Sequence, residues 1–170
     1  MELIQTGAAP TARETFAAAV TAYGRAMFRA ARACTDSDAD AEDAVGEAVL
    51  RAWKAYGGLK SSAALRPWLI RITVNCAREQ RRKNSRVTTV PGDELELMAG
   101  AAPETPASGL WEAVCRLPAD SRAVVTLFYY EDMTEAEIAK TLGIAKGTVK
   151  SRLGRARQRL KERLREEDEA

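Results

Sequence analysis

Histidine does not occur anywhere in the 170 residues. Its absence removes the commonest general base and the commonest metal ligand. Cysteine is scarce: Cys34, Cys76 and Cys115 are widely scattered, with no CxxC pair. That spacing matches neither a zinc site nor a disulfide framework. It reads as small buried residues in a reducing compartment. No apolar run approaches the length of a membrane span, and the N-terminus lacks a basic-then-apolar signal pattern. A cytoplasmic chain with no direct membrane insertion is expected. Gly-rich phosphate loops, nucleophile elbows and strand-like alternation of useful length are missing too. These absences point away from an enzyme, a metal, a cofactor and a small-molecule substrate. They point toward an all-α binding protein.

What the chain does have is charge sorted into blocks. The formal net charge is only +2. Yet residues 36–47 hold six acids and no base, and residues 66–86 hold seven bases and one acid. Residues 87–112 hold five acids and no base, and Glu166 to Glu169 are all acidic. Blocks of alternating sign imply surfaces with different partners.

The most informative block is Thr134 to Arg159. Thr134 and Glu137 have capping-box spacing for a helix start. Ala136, Ile138, Ala139 and Leu142 give that helix an apolar side, and Gly143 suits the left-handed residue that ends it. Ile144 can plug the space before a second helix beginning near Lys146. Val149, Leu153, Ala156, Leu160 and Leu164 then form one helical face. From Lys146 to Arg165 there are nine Lys or Arg and one Glu. A surface helix made for solubility mixes signs; this one is matched to a polyanion. The whole reads as a helix-turn-helix that lays its second helix in the DNA major groove. Thr148, Lys150, Ser151, Arg152 and Arg155 are its candidate DNA contacts, with Arg157 and Arg159 on phosphates or on nothing. The plainer alternative is a basic amphipathic helix whose charges are simply solvated.

Upstream, residues 1–13 read as a flexible leader. Helices are predicted over Phe16–Ala33, Asp40–Tyr56 and Trp68–Arg86, with Pro67 as a first helical residue. Phe16, Val20, Tyr23, Met27 and Ala31 are the inward side of the first. Ala41, Val45, Ala48, Val49, Ala52 and Trp53 are that of the second. Leu69, Ile72, Thr73, Cys76 and Ala77 are that of the third, and Gly57-Gly58 ends the second. Residues 87–109, punctured by Pro and Gly, read as a flexible acidic linker in which Leu95 to Met98 could dock. Structure is predicted to resume near Leu110: Leu110, Val114 and Leu117 mark one helix, and Pro118 starts another, with Val124, Val125, Leu127 and Phe128 as core. The fold class is therefore all-α: two small helical domains, 14–86 and 110–165, followed by an acidic tail at 166–170. On the third helix Trp68 and Asn75 lie seven residues apart, about two turns, amid Arg66, Arg71, Arg78, Arg81, Arg82, Lys83 and Arg86. Amides and aromatics among cations can grip unstacked bases and a single-stranded backbone; Trp68 reads mostly as core.

Three stretches together resemble an extracytoplasmic-function sigma factor, a small promoter-specificity subunit of bacterial RNA polymerase. They are AEDAVGEAVLRAWKAY (Ala41–Tyr56), PWLIRITVNCAREQRR (Pro67–Arg82) and LPADSRAVVTLFYYEDMTEAEIAKTLGIAKGTVKSRLGRARQRL (Leu117–Leu160). The resemblance implies that 14–86 is sigma region 2, which binds the polymerase clamp helices and recognises and melts the minus-ten element. It implies that 110–165 is sigma region 4, which reads the minus-thirty-five element and contacts the polymerase flap. By motif position, Asp43, Glu47 and Arg51 belong to the polymerase-binding surface. Leu59, Lys60, Ser61 and Ser62, with the loop to Leu65, match the segment that captures a flipped base of the non-template strand. Asn75 matches a base-contacting residue, and Arg78, Arg81 and Arg82 match backbone contacts. Thr148, Lys150, Ser151, Arg152 and Arg155 serve the minus-thirty-five element. The chain departs from the family at Gly46, usually Gln, at Leu59, often aromatic, and at Gly154, elsewhere larger. Implied partners are core RNA polymerase (clamp helices and flap), promoter DNA as duplex and as single non-template strand, and an anti-sigma factor. No cofactor or metal is implied. Two other readings remain at this stage: a sigma-like decoy that titrates an anti-sigma factor, and a helix-turn-helix repressor.

Overall fold

The computed structural model describes residues 9–59, 61–87 and 109–169, without the side chains of Val87, Glu167 and Asp168. Most of the linker, Leu95 to Met98, Lys60 and the first eight residues lie outside the described residues. Every regular element among the described residues is helical.

The first half is a three-helix unit: α1 (Ala12–Cys34), α2 (Asp38–Ala55) and α3 (Leu65–Val87). Each start has a local cause. Thr11 and Glu14 form a complete capping box, so α1 begins at Ala12, four residues before the predicted Phe16 and inside the expected leader. Ser37 caps α2 by accepting from the Asp40 N–H, which moves that start to Asp38. Two short 3₁₀ turns, Tyr56–Gly58 and Ser62–Ala64, lead into α3. Pro67 is the third residue of α3 and not the first; its missing N–H still falls within the first turn, where no intrahelical partner is needed. Alanine dominates the packing. Ala30, Ala41, Ala44, Ala48, Ala52 and Ala77 are fully buried, with Met27, Leu69, Ile70 and Val74 filling the space between. Small side chains let these helices approach closely.

The second half comprises α4 (Gly109–Cys115), α5 (Ala119–Val125), a wider π-type segment (Thr126–Tyr130), α6 (Glu135–Leu142) and α7 (Lys146–Asp168). The expected acidic tail is mostly the end of α7. Thr134 and Glu137 close the predicted capping box, and Gly143 is left-handed at φ 65° and ψ 37°. Donors on Thr134 hold the Glu137 carboxyl below the usual carboxylate range.

One expected core position faces water. Trp53 is 44% exposed; its ring lies tilted against Phe16, with centroids 5.1 Å apart, and stacks on Tyr56 at 6.1 Å. Leu110 is likewise 44% exposed.

The two halves also pack on one another. α1 lies against α5 and the Thr126–Tyr130 segment, and α3 lies against α6. Four arginines cross the seam. Arg122 of α5 is buried and donates to the carbonyls of Ala33 (3.0 Å) and Thr35 (2.7 Å) at the end of α1. In its own half it donates to Cys115. Arg29 and Arg66 both reach Glu131, and Arg78 donates to the carbonyl of Leu142.

Candidate nucleic-acid and polymerase interfaces

α7 buries one stripe and exposes the other. Val149, Leu153 and Ala156 are inaccessible, held against the core that includes Ile138 and Leu142. Lys150, Ser151 and Arg155 are exposed on the opposite side, and Thr148 is half-buried. Locally these side chains follow the helix: Ser151 Oγ donates to the Thr148 carbonyl at 3.1 Å, and Arg155 Nε to the Ser151 carbonyl at 3.4 Å. Arg152 is different. It is half-buried and directed at Asp120, 3.5 Å away, so it sits at the edge of the exposed face. Gly154 is exposed with open space where a side chain would stand.

The apolar stripe predicted to run on to Leu164 is covered only as far as Ala156. Beyond it, Leu160 is half-buried and Leu164 is 37% exposed. With Leu110, Val114, Val125 and Tyr129 they line an open apolar groove of about 460 Å³, rimmed by Arg157, Lys161 and Arg165. Arg157 leans over Phe128 and Tyr129 and donates to the Tyr129 hydroxyl at 2.6 Å. It is therefore engaged with protein and not free for phosphate. The groove has no counterpart in the sequence reading; an apolar stripe longer than its partner helix is the signal that was there to see.

On α3, Asn75, Arg78, Arg81 and Arg82 are all exposed. Asn75, Arg78 and Arg82 line a depression of about 380 Å³ together with Arg51 and Ile72. Arg81 approaches Asp36 at 3.5 Å. Ser61 and Ser62 are exposed in the turn before α3, and Leu59 is half-buried. Trp68 is half-buried and packed on the core.

On α2, Asp43 and Glu47 are exposed. Arg51 bridges Glu47 at 2.8 Å and Glu79 of α3 at 2.9 Å, which depresses the Glu79 carboxyl. Arg51 is thus a brace between helices as much as a surface charge. Beside these acids Leu50 is 60% exposed and Trp53 44%. An apolar patch framed by acids is the kind of surface that another protein covers, and the sequence reading missed Leu50.

Cys34 and Cys76 are buried and Cys115 is half-buried; all three are free thiols. Burial pushes the Cys34 thiol up to about 11. No group of three or more metal-ligating side chains occurs among the described residues, and no described helix is long and apolar enough to cross a membrane.

Two family models match, Sigma-70 region 2 over residues 19–87 and Sigma-70 region 4 over residues 108–160. SigM of Mycobacterium tuberculosis, an ECF RNA polymerase sigma factor, is 36% identical over 140 residues, 81% of this chain and 71% of its own length. SigL of the same organism, of the same description, is 33% identical over 168 residues, 94% of each chain. Among solved structures, the sigma factor RpoE of Bartonella quintana, crystallised with the anti-sigma factor NepR, superposes with a TM-score of 0.70 at 26% identity. That match covers 89% of this chain and 97% of RpoE. CnrH, solved with the cytosolic domain of CnrY, gives 0.60 at 26% identity over 89% and 88%.

Proposed function

This chain belongs to the extracytoplasmic-function sigma factors of bacterial RNA polymerase, and from that premise we propose how its surfaces divide the work. Sigma factors bind core polymerase and promoter DNA and direct initiation. The observation that carries the assignment of surfaces is α7, which buries Val149, Leu153 and Ala156 while exposing Lys150, Ser151 and Arg155.

Lys150 and Arg155 read base edges of the minus-thirty-five element in the major groove, where a cationic side chain suits guanine O6 and N7. Ser151 and Thr148 add adaptable contacts. Arg152, tied to Asp120, positions α7 and contacts DNA only at its edge. Asn75 with Ser61, Ser62 and the Leu59–Leu65 loop receives unstacked bases of the minus-ten element. Arg78, Arg81 and Arg82 track the strand's phosphates. Capture of flipped bases and of the single strand offsets the stacking lost on melting. Asp43 and Glu47, with Leu50 and Trp53, meet the clamp helices. The apolar groove beside Leu160 and Leu164 takes the flap. The chain itself performs no bond chemistry, works in the cytoplasm beside the nucleoid polymerase, and is restrained by an anti-sigma factor, as RpoE and CnrH are found bound to NepR and CnrY.

Run-off transcription from genomic fragments with core polymerase, with and without the protein, tests this. New discrete transcripts sharing two upstream elements are expected. No transcripts together with no binding to core would overturn the reading in favour of a decoy or a repressor.

A further inference from the structure

Arg51 serves two helices with one guanidinium. Its Nε donates to Glu47 Oε1, one turn earlier on α2, at 2.8 Å. Its Nη2 meets Glu79 Oε2 on α3 at 2.9 Å. Glu79 is the single acid among the seven bases of residues 66–86. It stands one helical turn from Asn75, so the two side chains share a face of α3. Asn75, Arg78, Glu79 and Arg82 line the same depression of about 380 Å³, and Arg51 enters it from α2. Asn75, Arg78 and Arg82 are exposed there, while Arg51 and Glu79 are half-buried.

That placement sets a problem for strand binding. On the reading of α3 given above, this depression receives unstacked bases while Arg78 and Arg82 follow phosphates. A bare carboxylate in its wall repels those phosphates. At about one turn of helix from a phosphate, it lowers affinity roughly three- to tenfold. Arg82 and Lys83 add positive field at Glu79, yet a cation given up to the carboxylate is lost to the strand. Arg51 belongs to another helix and is held between two acids, so its charge is spent on Glu79 without emptying the phosphate track. The contact holds the Glu79 carboxyl below the usual carboxylate range, so the pair is ionised at neutral pH and its charges cancel locally.

We propose that Arg51 is a positioning residue for the minus-ten strand: it masks the Glu79 carboxylate, so that the depression beside Asn75 meets the backbone as a surface of amide and arginine. This role rests on the assignment of α3 to that element. It moves Arg51 from the polymerase-binding surface, where motif position puts it, to the support of the DNA face. The planar guanidinium suits the task, because its fork holds both carboxylates in fixed directions, which a lysine ammonium does not. With Nε turned to Glu47, Nη2 is left aimed at Glu79.

The test measures binding of the full chain to a short fluorescein-labelled single strand of mixed sequence, by fluorescence anisotropy in low and in high salt. Arg51→Gln is expected to weaken binding roughly three- to tenfold in low salt, with the difference shrinking in high salt. Glu79→Gln alone should bind as well as wild type or better, and Arg51→Gln combined with Glu79→Gln should return to wild-type affinity. Arg51→Gln combined with Glu42→Gln carries the same net charge as that double variant. Glu42 is exposed near the start of α2, so this combination should stay weak. Melting temperatures close to wild type are expected throughout, since the ion pairs removed lie at the surface. Wild-type affinity in Arg51→Gln, weaker binding by Glu79→Gln alone, or equal rescue by Glu42→Gln would overturn the mask. Arg82→Gln separates that failure from failure of the underlying assignment: unchanged affinity there would remove the strand from this face of α3, and the mask with it.

Discussion

Arg78 donates a hydrogen bond from Nη1 to the backbone carbonyl of Leu142 across 2.9 Å. An arginine assigned to one DNA element thus closes the C-terminal end of the helix that begins the reader of the other. A cation at a helix C-terminus also complements its exposed carbonyls. Arg78→Ala should lower stability by ~1 kcal/mol in urea unfolding, the usual worth of a partly exposed, charge-assisted bond. The same change should weaken single-stranded minus-ten binding by the holoenzyme. A variant with unchanged stability and unchanged DNA binding would remove Arg78 from both roles.

The exposed cations of α7 differ in how free they are. Lys150→Ala and Arg155→Ala should each cost ~1–3 kcal/mol in binding a minus-thirty-five duplex, with relaxed discrimination at one base position. Arg152→Ala, already paired with Asp120, should cost less. Fluorescence anisotropy with a set of single-base variants checks all three. Equal losses for Arg152 and Lys150 would mean that the Asp120 contact is given up on DNA.

Leu50 is the most exposed large apolar side chain beside the acids of α2. Burying it against a partner is worth ~1.5–3 kcal/mol. Leu50→Ala should therefore weaken core polymerase binding at least tenfold. Thermal stability should stay within ~0.5 kcal/mol of wild type, as for an uncovered surface position. Surface plasmon resonance with immobilised core, beside a thermal melt, separates the two.

Gly46 sits in the interior of α2, exposed, with open space where a Cβ would stand. Nothing in its surroundings requires glycine. Gly46→Ala should stabilise the first half by ~0.5–1 kcal/mol, read as a raised denaturation midpoint. Loss of core binding in the stabilised variant would show that the bare backbone at Gly46 is itself part of the contact.

Thr126 Oγ1 is buried without a hydrogen-bond partner among the described residues. Thr126→Val keeps the shape and removes the unsatisfied group. Stability should be unchanged or rise by ~1 kcal/mol. A clear loss in the denaturation midpoint would mean that the hydroxyl has a partner in solution, most simply an ordered water.

The features legible in the sequence share one property: they are settled within a turn or two of helix. The Thr134–Glu137 box, the left-handed Gly143 and the stripe of Val149, Leu153 and Ala156 arise from neighbours three or four residues apart. So do the exposed positions of Lys150, Ser151, Asn75 and Asp43. Helix starts were less legible, because Thr11 and Ser37 act as caps in polar stretches that also read as leader or loop. Trp53 is predicted inward with Ala48 and Ala52; those two are buried, and Trp53 is still 44% exposed. Periodicity says which residues share a face; it does not say how far the covering helix extends.

By itself the sequence determined an all-α chain, the caps at Thr134 and Gly143, the one-signed basic face of its last helix and its family, since these rest on local hydrogen bonding and ordered motifs. Only the tertiary structure decided which charges are free and which are spent. Glu131 reads as one more polar residue in a turn, yet its partners stand 102 and 65 residues away. Arg122 reads as one more base, yet its guanidinium is buried on carbonyls 87 and 89 residues away. No local pattern encodes such pairings. They exist because packing brings distant charges out of water together, where each must find a partner.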